Sequence, residues 1–94
     1  MSATHAFKRK APRTINVIAA GTADTDLGIT HQWITVCAVG GSLHLKFGAD
    51  GLSAAATTDW PLAEGEKESY YIDGEDSNRV SIVGAGAALH WYAG

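Results

Sequence analysis

Short runs in which apolar and polar residues alternate occupy most of the chain after residue 13, and turns rich in Gly, Asp, Asn and Ser separate them. Alternation at every second position is typical of a half-buried strand, and no run of helical length repeats every 3.6 residues. The pattern predicts six or seven strands, at 13–20, 31–39, 42–48, 58–62, 67–73, 79–84 and 88–94. It predicts loops at 21–28 and 49–58, the second with an optional helical turn around 54–56.

These strands predict an all-β fold. A chain of 94 residues forms one domain at most, and many short strands at regular spacing are typical of a sandwich or barrel. We therefore expect a single small β-sandwich or barrel of six to eight short strands at 14–94, jelly-roll-like in outline. Periodicity does not encode strand order, so a jelly roll and a Greek-key barrel both stay open.

The strand at 31–39 is apolar on both faces, which is unusual in so small a chain. One face carries Ile34, Val36 and Ala38, while the other carries Trp33, Cys37 and Val39. The last predicted strand, at 88–94, is likewise largely apolar on both faces. A large exposed apolar patch usually marks an interaction surface, so we predict a self-association face made of Trp33, Cys37, Val39, His90 and Tyr92. The alternative is that loop 49–58 folds over that face.

Charge is distributed unevenly along the chain. Residues 1–13 carry four basic residues and no acidic one, whereas the rest carries three basic against ten acidic residues. The absence of an apolar period and the presence of Pro12 predict an extended basic arm at 1–13. Its predicted binding residues are Phe7, Lys8, Arg9, Lys10 and Arg13. An acidic body repels phosphate, so we expect the arm to bind a protein surface, such as a neighbouring copy, with no specific nucleic acid.

Several chemistries find no support in the pattern. The lone Cys37 forms no intramolecular disulfide. Because residues 1–13 lack an apolar core and no apolar run approaches membrane length, we expect no secretory leader and no membrane span. No nucleophile motif or phosphate loop is present, so we expect no enzyme and no cofactor. His44 and His90 would share a face if their strands paired, yet their spacing predicts no metal site. The acidic turn at 73–78 is interpreted as a hairpin turn rather than a Ca²⁺ loop.

Trp60, next to Pro61 and near a loop, offers a second functional hypothesis. An exposed indole ring can stack on a sugar, and β-sandwiches include many carbohydrate-binding domains. Trp60 is therefore a candidate glycan platform, as in a small carbohydrate-binding module of a tail or adhesin. The other two tryptophans lie within predicted strands, where core or interface roles are commoner.

Residues 31–94 resemble a loose group of small tailed-phage virion proteins. The resemblance rests on a strand entering a Gly turn, an Ala/Thr-rich loop, a Pro-Leu and Gly turn into a strand, and two closing strands. The corresponding segments are "ITVCAVGGSLHLKFG", "GLSAAATTDW", "PLAEGEKESYYI" and "NRVSIVGAGAALHWYAG". The three tryptophans and the "KRKAPR" arm are not part of the pattern, and no site residues carry over.

The resemblance implies a structural role in a virion, most simply as a capsid decoration, or cement, protein. It implies as partners the major capsid protein and neighbouring copies, with a trimer favoured, and a place on the capsid surface after assembly in the host cytoplasm. A protein of this kind needs a compact β body, a contact surface and an arm. Those are the features that the residues themselves predict.

Overall fold

The structure of the protein is a computed structural model, and it describes residues 14–19, 21 and 24–94. This part contains eight β-strands and one 3₁₀ turn at Gly74–Asp76. The strands are β1 (Asn16–Ala19), β2 (Thr25–Asp26), β3 (Gln32–Val39), β4 (Leu43–Gly48), β5 (Trp60–Leu62), β6 (Lys67–Ile72), β7 (Arg79–Val83) and β8 (Ala88–Ala93). The arm predicted at 1–13 lies outside the described residues.

The strands form two four-stranded sheets, and all the strand pairs within them are antiparallel. The front sheet has the order β1-β8-β3-β6, and the back sheet has the order β2-β7-β4-β5. Most successive strands alternate between the sheets, and only the β4–β5 connection stays within one. The predicted all-β sandwich is therefore confirmed.

The strand order is that of a jelly roll. β1 pairs with β8, β2 with β7, β3 with β6, and β4 with β5, as in one long hairpin folded over itself. The β3–β8 and β4–β7 pairs then join the folded hairpin into its two sheets. This is the eight-stranded, two-sheet arrangement of jelly rolls. The structure thus settles the choice that periodicity left open.

The hydrophobic core lies between the two sheets and follows the alternation in the sequence. From the front sheet, Ile34, Val36 and Leu89 are fully buried, and from the back sheet so are Leu43 and Leu45. On β7 the inward side chains Val80 and Ile82 are buried as well, whereas Phe47 near the end of β4 is only half-buried. On β1 the single inward apolar residue is Ile18, so its other apolar side chains face solvent.

The back sheet has its outer face covered by the loop at 49–58. The hydroxyl of Ser81, on the outward side of β7, accepts a hydrogen bond from the Ala55 backbone N–H at 2.8 Å and is completely buried. The Lys46 ammonium donates to the Ser53 hydroxyl at 2.7 Å. The loop therefore covers the back sheet and not the doubly apolar face of β3, and residues 52–56 form no helical turn.

The prediction of a loop over 21–28 was wrong, because β2 lies within it. This two-residue polar strand has no apolar alternation to reveal it, and ion pairs help to hold it in place. The Arg79 guanidinium lies 3.5 Å from Asp24, 3.8 Å from Asp26 and 3.2 Å from Asp50. Asp26 also pairs with Arg79 in the β2–β7 register. A charge cluster joining three chain segments cannot be read from spacing.

Replacement of Ser81 tests the anchoring of the loop. Ser81→Ala leaves the Ala55 N–H without its acceptor, and we expect it to lower the free energy of unfolding by about 1–3 kcal/mol. Ser69→Ala is the matched control, because it removes an exposed hydroxyl pair with Thr35 and should cost about 0.5 kcal/mol or less. Urea denaturation measures both. Equal losses in the two variants would contradict the anchoring role.

Candidate functional site

The outward side of the front sheet, here called the open face, is largely apolar. Five of the six large hydrophobic side chains that are exposed among the described residues lie on it, and Val17 and Trp33 are the most exposed of them at 61% and 55%. Across β3 and β6, Trp33 packs edge-on against Tyr71 with ring centroids 5.6 Å apart. The five exposed side chains are Ile15, Val17, Trp33, Val39 and Tyr71.

The register of the front sheet sets the centre of the open face. Val17 lies opposite His90, His90 opposite Cys37, and Cys37 opposite Lys67, so that one row crosses all four strands. A shallow depression of about 200 Å³ lies along this row, bordered by Ile15, Val39 and Tyr92 among others. Among the strand residues that face outward from the front sheet, all of which the structure describes, Lys67 is the one Lys, Arg, Asp or Glu. Depletion of charge is typical of the buried centre of a protein interface.

The structure brings the predicted self-association residues together. Trp33, Cys37 and Val39 of β3 and His90 and Tyr92 of β8 all point outward from two paired strands. Sequence reasoning missed Ile15, Val17 and Tyr71, although the period of β1 and β6 would have placed them once the inward residues were known. The predicted binding residues of the arm, Phe7 to Arg13, lie outside the described residues.

A second surface feature, here called the edge cleft, lies where β5 of the back sheet faces β6 of the front sheet. It is about 250 Å³ in volume and is lined by Leu45, Lys46, Phe47, Asp59, Trp60 and Tyr70. Trp60 lies opposite the inward-facing Leu45, yet at the sheet edge it remains 60% exposed. Phe47 and Tyr70 meet across the sandwich with ring centroids 5.2 Å apart. The predicted glycan platform is therefore one wall of an aromatic cleft.

The Tyr70 hydroxyl is buried in the edge cleft and has no hydrogen-bond partner among the described residues. Burial raises the pKa of Tyr70 above 10.0, and the carboxylates of Glu68 and Glu66 raise it further. The nearby Trp60 indole opposes this rise in pKa without reaching hydrogen-bond geometry. Negative potential and a desolvated aromatic wall therefore coincide in the edge cleft.

The remaining sequence candidates are not brought together into a site. His44 lies on β4 of the back sheet and His90 on β8 of the front sheet, so their strands do not pair. Within the described ranges, no group of three or more His, Cys, Asp or Glu residues is placed to hold a metal ion. The acidic segment at 73–78 forms a 3₁₀ turn in which the Ser77 hydroxyl accepts the Asp73 N–H. In the same part of the chain, no helix has the length and hydropathy to cross a bilayer.

Comparison with known proteins gives one partial match to consider. A curated relative, the UDP-N-acetylmuramoylalanine--D-glutamate ligase of Pectobacterium atrosepticum, is 36% identical over 78 residues. The match covers 83% of this chain but 17% of the ligase, so it carries no activity over to the chain. No family model matches the chain. No solved structure matches it.

Titration of the tyrosines tests the environment of the edge cleft. Because burial and negative charge disfavour the phenolate, we expect Tyr70 to ionise above pH 10.0. Its contribution to stability is then complete below pH 10.0 and is lost as the pH rises through the raised pKa. Absorbance at 295 nm should show one tyrosine that ionises at a higher pH than the others, and this step should be absent in Tyr70→Phe. Unfolding in guanidinium chloride should shift the step to lower pH. A late step that survives in Tyr70→Phe would contradict this assignment.

Proposed function

We propose that the protein is a non-catalytic structural component of a phage virion, most simply a capsid decoration protein that docks through its open face. The observation that carries the proposal is the open face itself. It is apolar and almost uncharged, and the described loops leave it uncovered. An apolar patch of this extent on a small β domain supports a contact with other protein molecules.

The size of the open face supports an assembly of many copies rather than a tight isolated pair. Four strands about 4.8 Å apart, with a central strand of eight residues, make a face of roughly 19 by 26 Å. This is a projected area of roughly 500 Å², so one open face offers a contact of modest size. Repetition over a symmetric shell makes such contacts effective, because avidity multiplies weak contacts.

The fold supports the same proposal by analogy. Jelly rolls recur in viral capsid domains, and also in lectins, although a fold alone does not establish a function. The resemblance of residues 31–94 to small phage virion proteins favours the first of these. The partners in this proposal are the major capsid protein and neighbouring copies, with a trimer as the expected oligomer. The basic arm adds contacts that extend beyond the small body.

Co-sedimentation with emptied capsids of the phage that encodes the chain tests this function. We expect the protein to saturate the capsids at a fixed ratio to the major shell protein. Val17→Asp places an unpaired carboxylate on the open face, at the β1 end of its central row, and should weaken binding by about tenfold or more, since burying an unpaired charge costs over ~1.4 kcal/mol. The matched control is Ala54→Asp, at an exposed position on the loop over the back sheet.

Two results would contradict the proposal. Failure of the wild-type protein to bind capsids would exclude decoration and leave a tail or adhesin position. Equal binding by Val17→Asp and Ala54→Asp would exclude the open face as the contact surface. Because Val17 is 61% exposed, its replacement should leave the thermal unfolding midpoint of the isolated protein unchanged.

A further inference from the structure

The edge cleft combines aromatic surface with negative charge. Trp60 and Tyr70 line it, together with the Asp59 side chain. Glu68 lies two residues before Tyr70 on the inward side of β6, and the carboxylates of both Glu68 and Glu66 act electrostatically on the Tyr70 hydroxyl. A flat indole beside carboxylates fits an alkylammonium or guanidinium group better than an uncharged ligand, because both the ring face and the carboxylates attract a cation.

Lys46, a cationic residue that lines the edge cleft, has its ammonium engaged elsewhere. The Lys46 side chain starts from the outward side of β4, and its ammonium donates to Ser53 at 2.7 Å on the outer face of the back sheet. Asp59 keeps one carboxylate oxygen on the Ala56 N–H at 2.7 Å, and Glu66 keeps one on the Ala63 N–H at 2.9 Å. Within the described part of the chain, these bonds engage one oxygen of each carboxylate, Oδ2 of Asp59 and Oε1 of Glu66.

The chain itself supplies a cationic segment of the right kind. Three consecutive basic residues, Lys8, Arg9 and Lys10, stand in an arm that carries no acidic residue. The described residues begin at Thr14, next to β1, and β1 is the edge of the front sheet opposite to β6. The charge of the arm is thus complementary to the charge of the edge cleft.

The geometry favours the arm of a neighbouring copy over the arm of the same copy. β1 and β6 are three strand spacings apart, about 14 Å. Tyr70 lies opposite Ile34 and Ile34 opposite Ala93, so the edge cleft is level with the start of β1. Lys10 precedes Thr14 by four residues, a reach of at most about 14 Å, and Lys8 by six, about 21 Å. Lys10 of the same copy would therefore reach β6 only with the intervening chain fully extended, a constraint that does not apply to an arm from a neighbouring copy.

We propose that the edge cleft of one copy binds a basic side chain from the Lys8–Lys10 segment of a neighbouring copy. The side chain lies against the Trp60 indole and pairs with the carboxylates of Glu68 and Asp59. This inference rests on the proposed function in one respect, since it requires copies held side by side. It gives the arm a specific receptor on the protein itself.

A peptide titration tests the inference without capsids. The receptor is the full chain with Lys8, Arg9 and Lys10 replaced by Ser, and the ligand is a synthetic peptide of residues 2–13. Calorimetry and tryptophan fluorescence measure the binding. We expect binding that weakens about fivefold or more between 50 and 300 mM salt, because screening opposes ion pairing. Trp60→Leu and Glu68→Gln should each weaken binding about fivefold or more. A peptide with the three basic residues replaced by Ser should not bind.

Trp33→Leu is the matched control, since it removes an indole of similar exposure from the open face. Equal peptide binding by Trp60→Leu and Trp33→Leu would overturn the inference, as would no binding by the wild-type peptide. Binding of a neutral pyranose saccharide that quenches Trp60, with no peptide binding, would overturn it in favour of a glycan site. If the peptide does not bind but the protein still co-sediments with capsids, only the edge-cleft inference is rejected. If the peptide binds but the protein does not co-sediment with capsids, only the proposed virion role is rejected.

Discussion

A two-layer sandwich buries the inner faces of its sheets against each other, and each outer face must then meet water or another surface. In this protein a loop covers one of the two outer faces, and the described loops leave the other uncovered. A buried hydrogen bond between the Ser81 hydroxyl and the Ala55 N–H holds a loop over the back sheet. The same loop therefore does not cover the front sheet, whose outer face carries exposed apolar side chains from Val17 at the β1 edge to Tyr71 at the β6 edge. The functional proposals depend on this asymmetry.

The jelly-roll order explains how the surfaces are arranged around the front sheet. Folding one long hairpin over itself places β1, which follows the basic arm, at one edge of the front sheet and β6 at the other. The open face lies between these edges, and the edge cleft lies beyond β6. Thr14, the first described residue, therefore stands on the side away from the acidic, aromatic cleft. This polarity suits contacts that pass from one copy to the next, because complementary features stand at opposite edges of a single sheet.

Much of the fold could be predicted from the sequence, because period-two alternation reports directly which side chains face inward. It predicted β3, β4, β7 and β8 and, on β3, the inward face that includes Ile34 and Val36. The doubled apolar faces of β3 and β8 also indicated the open face. Strand order, the two-residue β2 and the position of the loop depend instead on contacts distant in sequence, such as Arg79 with three aspartates. The edge cleft was missed for the same reason, since Trp60 and Tyr70 meet only through the packing of two sheets.

Cys37 provides the most direct measurement of the central claim, that the open face is buried in the assembled state. It is the single cysteine of the chain and lies in the central row of the open face, half-buried beside His90. The rate of its reaction with a small thiol reagent would be compared between dilute protein and protein at high concentration or bound to capsids. Association through the open face predicts a rate at least about tenfold lower in the assembled state, since the thiol must then be reached through local opening. An unchanged rate in protein shown by sedimentation to be assembled would contradict the account.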